Sequence, residues 1–315
     1  MKNFVLTGAA GYIAPRHMEA ILNNKGILHA ILDPSDSVGQ IDRFFPECLY
    51  FNNFERFERH IYKVQGTELN IDYMSICSPN YLHDTHCRFA LNNDMHAICE
   101  KPLVLNPWNL DELQKAELKT GKNIFNILQL RLHPEIIKLK SFVEKNEDRY
   151  FEVDLSYITS RGPWYHISWK GQEEKSGGIA SNIGIHFFDM LMWIFGPLES
   201  SEVYSRNQNF AAGCLHLQRA KINWFLSVDA SHLEALGITN ERTHRSLKID
   251  DEAFEFSKGF EDLHDKSYEH ILKGEGFKTE DVRDAIELVY TIRNQKLSKA
   301  ENLKNKQLSN IINNN

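Results

Sequence analysis

Cysteine is scarce in this sequence, and no two cysteines are spaced as a metal-binding pair. The 315 residues include 5 cysteines, an odd number, and no Cys-x-x-Cys occurs. Disulfide frameworks use paired cysteines in oxidising compartments, and zinc sites use closely spaced ones. The sequence therefore predicts reduced thiols and no metal site. The cysteines are Cys48, Cys77, Cys87, Cys99 and Cys214.

An excess of positive charge and long apolar runs are also missing. Lys and Arg number 36 against 43 Asp and Glu, a net charge of −7, whereas nucleic-acid-binding proteins need clustered basic surface. The first residues, MKNFVLTGAAGY, reach glycine too early for a signal peptide. The most apolar run, FFDMLMWIFG, is short and contains Asp189. We expect a cytoplasmic protein without a nucleic-acid or membrane partner.

The length predicts about two domains, because a domain averages roughly 150 residues. In residues 1–128, short apolar runs alternate with helical patterns, which is typical of an α/β domain with a parallel Rossmann sheet. In residues 129–300, several apolar runs follow one another without helices between them, which favours an α+β domain with an open mixed or antiparallel sheet. Residues 301–315 are rich in Asn and Lys, and we expect a frayed polar tail.

A glycine turn lies between the first apolar run and the first helical pattern. Glycines at this position let helix N–H groups face a pyrophosphate, although the spacing G-x-x-G-x-x-A departs from the usual G-x-G-x-x-G and an ordinary glycine turn would look alike. Asp33 ends the second apolar run, where a carboxylate can accept the ribose hydroxyls of an adenosine. No Lys or Arg follows it until Arg43, so NAD is favoured over NADP. The predicted cofactor contacts here are Gly8, Gly11, Tyr12, Ile13 and Asp33.

The tyrosines exclude one large class of dehydrogenases that use a similar turn. Short-chain dehydrogenases need Tyr-x-x-x-Lys, in which the lysine lowers the pKa of the tyrosine. None of the 11 tyrosines is followed by Lys four residues later. A working enzyme of that class is therefore excluded.

Glu100-Lys101-Pro102 follows the apolar run MHAIC. Proline restrains the residue before it to extended geometry, so Lys101 is expected to project from a strand end, where α/β sheets bind their ligands. Taken alone, the tripeptide is equally compatible with a surface turn.

Together with two further blocks, this tripeptide resembles the glucose-fructose oxidoreductase/inositol dehydrogenase (Gfo/Idh/MocA) family. SPNYLHDTH resembles the family's N-x-x-H loop over the cofactor, and SWKGQEEKSGGIASNIGIHFFDM resembles its pattern W-[RK], glycine-rich turn, D-x-G-x-H-x-x-D. The resemblance extends from Met1 to about Leu297. It implies an NAD-binding domain followed by a substrate-binding and oligomerisation domain. It also implies further cofactor contacts at Ser78, Asn80, His83, Glu100, Lys101, Trp169 and Lys170.

Within the family, the blocks GAAGYIAPRHM, NILQLR and SYITSRG are most similar to the UDP-N-acetylglucosaminuronate (UDP-GlcNAcA) 3-dehydrogenases of O-antigen biosynthesis. The resemblance implies NAD-dependent oxidation of the C3 hydroxyl of UDP-GlcNAcA, with 2-oxoglutarate as hydride acceptor in some members. An open sheet with one broad apolar face would bury it against another subunit, so we expect a homodimer or homotetramer. Another sugar or polyol oxidoreductase, a 3-ketoreductase and a non-catalytic NAD sensor are the alternatives.

Asn182 and His186 are spaced to share one face of a helix. Many family members have Asp at the first position, and the Asn found here holds an imidazolium less strongly. A neutral His186 is expected to accept the C3 hydroxyl proton while Lys101 polarises the same oxygen; the reverse assignment stays open. Asp189 is either a partner of the histidine or an ordinary polar helix residue.

The substrate's carboxylate and pyrophosphate need cationic partners, because guanidinium groups pair with both. Arg131, Arg161 and Tyr165 are candidates, although the last two are also compatible with a solvated loop. His83 and His86 lack a third ligand nearby, so a metal site is rejected. The predicted catalytic and substrate-binding residues are Lys101, His186, Asn182, Arg131, Arg161 and Tyr165.

Overall fold

The computed structural model describes residues 1–256, 259–260, 262–299 and 311. The strands of the first sheet are β1 (Asn3–Thr7), β2 (Ile27–Leu32), β3 (Leu49–Phe51), β4 (Tyr73–Ile76), β5 (His96–Cys99) and β6 (Ile124–Asn126). Those of the second sheet are β7 (Phe151–Thr159), β8 (Leu198–Arg206), β9 (Phe210–Leu217), β10 (Ala220–Ser227), β11 (Thr243–Ile249) and β12 (Glu252–Ala253). The α-helices are α1 (Ala14–Asn23), α2 (Phe54–Val64), α3 (His83–Asn92), α4 (Pro107–Thr120), α5 (Pro134–Lys145), α6 (Trp164–Ile167), α7 (Glu173–Ser176), α8 (Ile185–Phe195), α9 (Ser231–Ala235), α10 (Leu263–Leu272) and α11 (Arg283–Asn294).

The chain divides into two compact units, each built on one sheet. The first unit consists of Met1–Leu132 and Glu261–Arg283, and the second of His133–Phe260 and Asp284–Asn315. The first sheet has the strand order β3-β2-β1-β4-β5-β6, and all its pairings are parallel. The order reverses between β1 and β4, which is where open α/β sheets bind ligands. The predicted Rossmann sheet is confirmed.

The first unit also includes a segment from far along the chain, Glu261–Arg283. The two units therefore differ from the predicted division, which places a single boundary between residues 128 and 129. Helix α10 lies in the first unit, where Tyr268 and Ile271 are buried in one core cluster with Phe4 and Met18. The sequence pattern of α10 predicts an amphipathic helix but does not indicate which sheet the helix covers. The contact of α10 with the first sheet cannot be predicted, because the two are far apart in the sequence. The predicted tail, residues 301–315, lies outside the described residues except for Ile311.

The second sheet has the order β12-β11-β7-β10-β9-β8, in which β7 and β10 are parallel and the other neighbours antiparallel. The predicted open mixed sheet is confirmed. Helix α8 packs against α5 in the same unit. Among the described residues, one helical stretch, Glu173–Phe195, has the length and apolar composition of a membrane span. Its most apolar window is 72% buried inside the protein, as expected for a core helix.

Candidate active site

The turn after β1 is held so tightly that its first glycine has no room for a side chain. Gly8 has φ +79°, and a Cβ atom there would lie 2.4 Å from the carbonyl carbon of Cys77. Its N–H donates to the Leu32 carbonyl at 2.9 Å, and Gly11 N–H donates back to the Gly8 carbonyl at 3.0 Å. The turn therefore presents bare backbone just ahead of α1, which suits the close approach of a pyrophosphate.

Asp33 connects the end of β2 to this turn. Its carboxylate accepts the Ala10 N–H at 2.9 Å and the Ser35 N–H at 2.8 Å. A carboxylate at this position fits the ribose of an adenosine, so the turn and Asp33 together fit a dinucleotide. Of the other predicted contacts, the Tyr12 side chain is 90% exposed and Ile13 precedes the first residue of α1.

His83 links the end of β4 to the Lys101–Pro102 turn. Its Nδ1 lies 2.7 Å from the Pro102 carbonyl oxygen and its Nε2 lies 2.8 Å from the Ser78 carbonyl oxygen. Burial lowers the pKa of His83, and the two carbonyl oxygens partly oppose this. The predicted cofactor residues Ser78 and His83 are thus brought together, and Asn80, which lies between them in the sequence, is buried. A neutral imidazole has a single N–H, so His83 donates to one of these two carbonyl oxygens and ties the loop through that bond.

His86 fills the interior behind this loop. Its Nδ1 lies 2.9 Å from the hydroxyl of Ser78, and its ring stacks on Phe54 at a centroid distance of 5.9 Å. Burial lowers the pKa of His86 to about 4. This histidine is therefore neutral at ordinary pH and packs as part of the core.

The carboxylate of Glu100 turns toward the interior of the first unit, whereas the sequence assigned Glu100 to the cofactor. Its Oε1 accepts hydrogen bonds from His17 at 3.0 Å and His264 at 3.1 Å. These three residue types can hold a metal ion, and their ligand atoms lie within 4.8 Å of one another. Both imidazoles converge on one carboxylate oxygen, so hydrogen bonds alone explain the cluster. No local sequence pattern connects the three residues, so the sequence does not predict this cluster. Lys101 is half-buried and follows directly, joined to Pro102 by a cis peptide bond.

In the second unit, Asn182 and Tyr165 are in direct contact. Asn182 lies in a π-helical turn, Ala180–Gly184, just before α8, and its Nδ2 donates to the Tyr165 hydroxyl at 3.1 Å. Burial raises the pKa of Tyr165, although Asn182 and the charge of Arg161 act in the opposite direction. π-helical turns are frequent at functional sites. Half-buried His186 follows in α8, where Asp189 is also buried.

Lys170 and Trp169 form a second pair in the same unit. The Lys170 ammonium lies 4.5 Å from the centroid of the Trp169 ring, a cation–π distance. Burial lowers the pKa of Lys170, and the nearby charge of Arg161 lowers it further. Arg161 has an exposed side chain, but its main-chain N–H is fixed to the Val228 carbonyl at 2.9 Å. The charge of Arg161 thus acts on two of the predicted residues, Tyr165 and Lys170.

A pocket of about 160 Å³ opens beside these residues, entirely within the second unit. It combines three cationic side chains with one carboxylate and a glycine-rich main chain. Lining residues include Tyr165, Lys170, Glu173, Gly177, Gly178, Arg206 and Arg293. Arg206 is anchored by donating to the carbonyls of Ile292 and Gln295. Arg206 and Arg293 lie in the regular elements β8 and α11, where no motif marks them, so the sequence does not predict their place in the pocket.

Arg131 faces the returning segment of the first unit. Its Nη2 donates to the Asp281 carbonyl at 2.9 Å, and its guanidinium lies 5.4 Å from the centroid of the Phe277 ring. The predicted role of Arg131 toward the substrate carboxylate stays a prediction.

Two family models match the chain. Residues 2–127 match the Gfo/Idh/MocA model described as "Oxidoreductase family, NAD-binding Rossmann fold", and residues 147–216 match "Oxidoreductase family, C-terminal alpha/beta domain". The predicted NAD-binding Rossmann domain is confirmed. Among curated relatives, the "Uncharacterized oxidoreductase YrbE" of Bacillus subtilis is 33% identical over 44% of this chain and 39% of its own length. The "Putative UDP-kanosamine synthase oxidoreductase subunit" of Amycolatopsis mediterranei is 30% identical over 44% and 38%. The matched part thus spans about two fifths of these relatives.

Solved structures extend the similarity to nearly the whole chain. The WlbA (WbpB) dehydrogenase from Thermus thermophilus, in complex with NAD and UDP-GlcNAcA, is 44% identical with a TM-score of 0.90, covering 96% of this chain and 97% of that one. The same figures hold for its complex with NAD and alpha-ketoglutarate. The WlbA dehydrogenase from Bordetella pertussis shares the fold at 19% identity and a TM-score of 0.74, over 92% of this chain and 95% of that one.

Proposed function

The chain belongs to the Gfo/Idh/MocA oxidoreductase family, and we propose that it oxidises the C3 hydroxyl of UDP-GlcNAcA to the 3-keto sugar with NAD. The observation that carries this proposal is the 44% identity, over 96% of the chain, with a dehydrogenase whose structure contains NAD and UDP-GlcNAcA. The product would serve the biosynthesis of a diacetamido uronic acid for a surface polysaccharide.

The first unit supports NAD as the cofactor. The bare backbone at Gly8 and Gly11 suits a pyrophosphate, and the Asp33 carboxylate suits two ribose hydroxyls. A 2′-phosphate would meet negative charge at Asp33, with no Lys or Arg in the sequence until Arg43. When bound, NAD⁺ supplies the hydride acceptor for the reaction. These residues support selectivity for NAD over NADP.

The pocket of the second unit supports an anionic substrate. UDP-GlcNAcA carries a pyrophosphate and a carboxylate, and the pocket is lined by three cationic residues, Lys170, Arg206 and Arg293, and by a single carboxylate, that of Glu173. Guanidinium groups pair with both phosphate and carboxylate through two parallel hydrogen bonds. We therefore assign the charged part of the nucleotide sugar to this pocket, with Tyr165 at its wall.

Removal of hydride from C3 requires that the hydroxyl proton leave to a base. We assign that proton to His186 and the polarisation of the C3 oxygen to Lys101, the reverse assignment being the alternative. Asn182 donates to the Tyr165 hydroxyl, so we assign it the orientation of that side chain. The predicted pairing of Asn182 with His186 stays a prediction, because Asn182 lies in the π-helical turn ahead of α8.

We also propose 2-oxoglutarate as the compound that regenerates NAD⁺. Its ketone carbon would take the hydride and its oxygen a proton, giving 2-hydroxyglutarate. The Thermus thermophilus dehydrogenase has been crystallised with NAD and alpha-ketoglutarate. A homodimer or homotetramer located in the cytoplasm completes the proposal.

Native mass spectrometry of the purified protein with UDP-GlcNAcA tests the assignment. We expect the spectra to show retained NAD(H) and one UDP-sugar per chain. In a parallel optical measurement, the ultraviolet absorbance of NADH should appear after the sugar is added. A 3-ketoreductase would instead consume NADH only when given a keto sugar. NAD binding without turnover of any nucleotide sugar would favour the sensor alternative. The oligomer masses in the same spectra test the subunit number.

A further inference from the structure

A chain of hydrogen bonds runs through the core of the first unit and ends beside Lys101. We call it the Glu100 network. Its members are Ser75, Tyr268, His17, Glu100 and His264, and all five are buried. None of them belongs to the catalytic or substrate-binding residues assigned above. They come from β4, α10, α1 and the end of β5, so four elements of the chain meet there.

The direction of each hydrogen bond follows from the charges. Burial would raise the pKa of Glu100, but the hydrogen bonds from His17 and His264 hold it well below its usual value, so the carboxylate is ionised. Burial lowers the pKa of His17, so its ring is neutral and has a single N–H. That N–H lies on Nε2, which faces Glu100 Oε1 at 3.0 Å. Nδ1 therefore accepts from the Tyr268 hydroxyl at 2.8 Å, and Tyr268 accepts from Ser75 at 2.6 Å.

His264 makes one hydrogen bond in this network. Its Nε2 lies 3.1 Å from the same Glu100 oxygen, while its buried Nδ1 has no hydrogen-bond partner among the described residues. A buried polar atom without a partner carries a cost in stability. The position is nevertheless occupied by histidine, whose Nε2–H provides the second donor to Glu100.

The other oxygen of Glu100 reaches the residue that carries the proposed chemistry. Oε2 accepts the Lys101 N–H at 3.2 Å. On the far side of the turn, His83 Nδ1 contacts the Pro102 carbonyl at 2.7 Å. The Lys101–Pro102 turn is therefore held by Glu100 on one side and contacted by His83 on the other. A displacement of 1 Å at a catalytic group can cost about 100-fold in rate, so these anchors matter for turnover.

We propose that Glu100 is a positioning residue for Lys101, and that hydrogen bonds from His17 and His264 hold the Glu100 carboxylate in place. This inference rests on the role of Lys101 in the proposed function. Only a carboxylate can perform the task. Both of its oxygens accept, whereas the amide of glutamine has one acceptor and one donor. Glutamine would place its NH₂ group against either the two histidine N–H groups or the Lys101 N–H.

The test compares Glu100→Gln with Tyr268→Phe, which cuts the network at its far end. The first measurement is hydrogen exchange of the Lys101 amide in the NAD-loaded protein. Pro102 has no N–H, so it adds no exchange signal next to that of Lys101. Loss of one hydrogen bond to a charged group predicts exchange at Lys101 about 10-fold faster in Glu100→Gln, and unchanged exchange in Tyr268→Phe. Equal exchange at Lys101 in Glu100→Gln and in the unchanged protein would show that Glu100 does not anchor the Lys101 N–H, whatever the substrate is.

The second measurement is turnover of UDP-GlcNAcA. We expect kcat to fall about 10-fold or more in Glu100→Gln, with KM within about 3-fold. Faster exchange with unchanged kcat would overturn the positioning role. If the unchanged protein does not reduce its NAD with UDP-GlcNAcA, the proposed function fails, and exchange alone decides whether Glu100 anchors Lys101. If Glu100→Gln does not fold, His264→Phe replaces it, because this variant keeps a ring and removes one donor to Glu100. It is expected to speed exchange at Lys101 and to lower kcat, each by a smaller factor than Glu100→Gln would. Unchanged exchange and unchanged kcat in His264→Phe would overturn the proposal.

Discussion

His264 and Glu100 lie 164 positions apart in the sequence, yet their side chains meet at 3.1 Å in the core of the first unit. His264 belongs to α10, which follows the whole second sheet along the chain. The strand end that carries Lys101 is therefore supported by a helix from near the other end of the chain. Changes in α10 are expected to affect the site although α10 contains none of the predicted catalytic residues.

Asp33 is expected to determine the choice of cofactor. Asp33→Ser combined with Ser35→Arg removes the ribose acceptor and adds a partner for a 2′-phosphate, so NAD should bind about 10–100-fold more weakly and NADP more tightly. Isothermal titration with both cofactors measures this. Asp36→Ala, which changes an exposed acid nearby, is the control and should bind NAD normally. Equal affinity of the unchanged protein for NAD and NADP would contradict the prediction.

Lys101 and His186 are expected to act on one substrate oxygen. Lys101→Met removes the donor with little change in volume, and His186→Asn removes the base but keeps hydrogen bonding, so each should lower kcat about 100-fold or more while NAD stays bound. The double variant should be little worse than the poorer single variant if the two work as a unit. Stopped-flow reduction of bound NAD checks all three. Nearly normal kcat in either single variant would place the proton acceptor elsewhere, with Tyr165 the next candidate.

The cationic pocket is expected to recognise the charged groups of the substrate. Arg206→Met and Arg293→Met should each weaken UDP-GlcNAcA binding by about 2–5 kcal/mol, because a buried charge loses its partner. UDP-GlcNAc, which lacks the carboxylate, should reduce bound NAD far more poorly than UDP-GlcNAcA. Lys145→Met, an exposed position at the end of α5, is the matched control. Equal performance of the two sugars would exclude carboxylate recognition and strengthen the ketoreductase alternative.

Gly8 and Gly66 form a matched pair that separates backbone conformation from close packing. Both have positive φ, +79° and +78°, but a Cβ atom meets the Cys77 main chain at Gly8 and nothing within 4 Å at Gly66. Gly66→Ala should cost about 1 kcal/mol of unfolding free energy. Gly8→Ala should cost about 3 kcal/mol or more and weaken NAD, because the turn must move. Urea denaturation and NAD titration measure both, and equal losses in the two variants would show that the clash is relieved.

His86 is expected to make stability depend on pH. Its pKa is about 4 in the folded protein against 6.5 for the free side chain, so the unfolded chain takes up the proton first. The stability is complete above pH 6.5 and is lost as the pH falls toward 4, by on the order of 3 kcal/mol. Urea denaturation at pH 7 and pH 4.5 should show a smaller loss in His86→Gln than in the unchanged protein. His270→Gln, at a more exposed histidine, should follow the unchanged protein, and parallel curves for all three would refute the assignment.

Short-range sequence patterns are enough to predict the local features and the family. Alternating apolar runs and helical patterns predict both sheets because the side-chain period of a strand or helix is set locally. The glycine turn and the Glu100-Lys101-Pro102 strand end were visible because glycine and proline restrict the backbone within a few residues. The blocks around Asn80 and Asn182 led to the family for the same reason, since each lies within one short stretch. The fold and the family are confirmed, whereas the roles of the individual site residues stay predictions.

Which distant segments meet can be read only from the folded chain. It brings His17 and His264 to Glu100, and it places Arg206 and Arg293 in one pocket of the second unit. It also turns Arg131 toward Asp281 and assigns α10 to the first unit. None of these contacts has a local signature, because a helix pattern tells which face is apolar but not which sheet that face will cover. The free energy that favours one helix–sheet pairing over another comes from burying complementary surfaces that are far apart in the sequence. Those surfaces meet only in the folded chain.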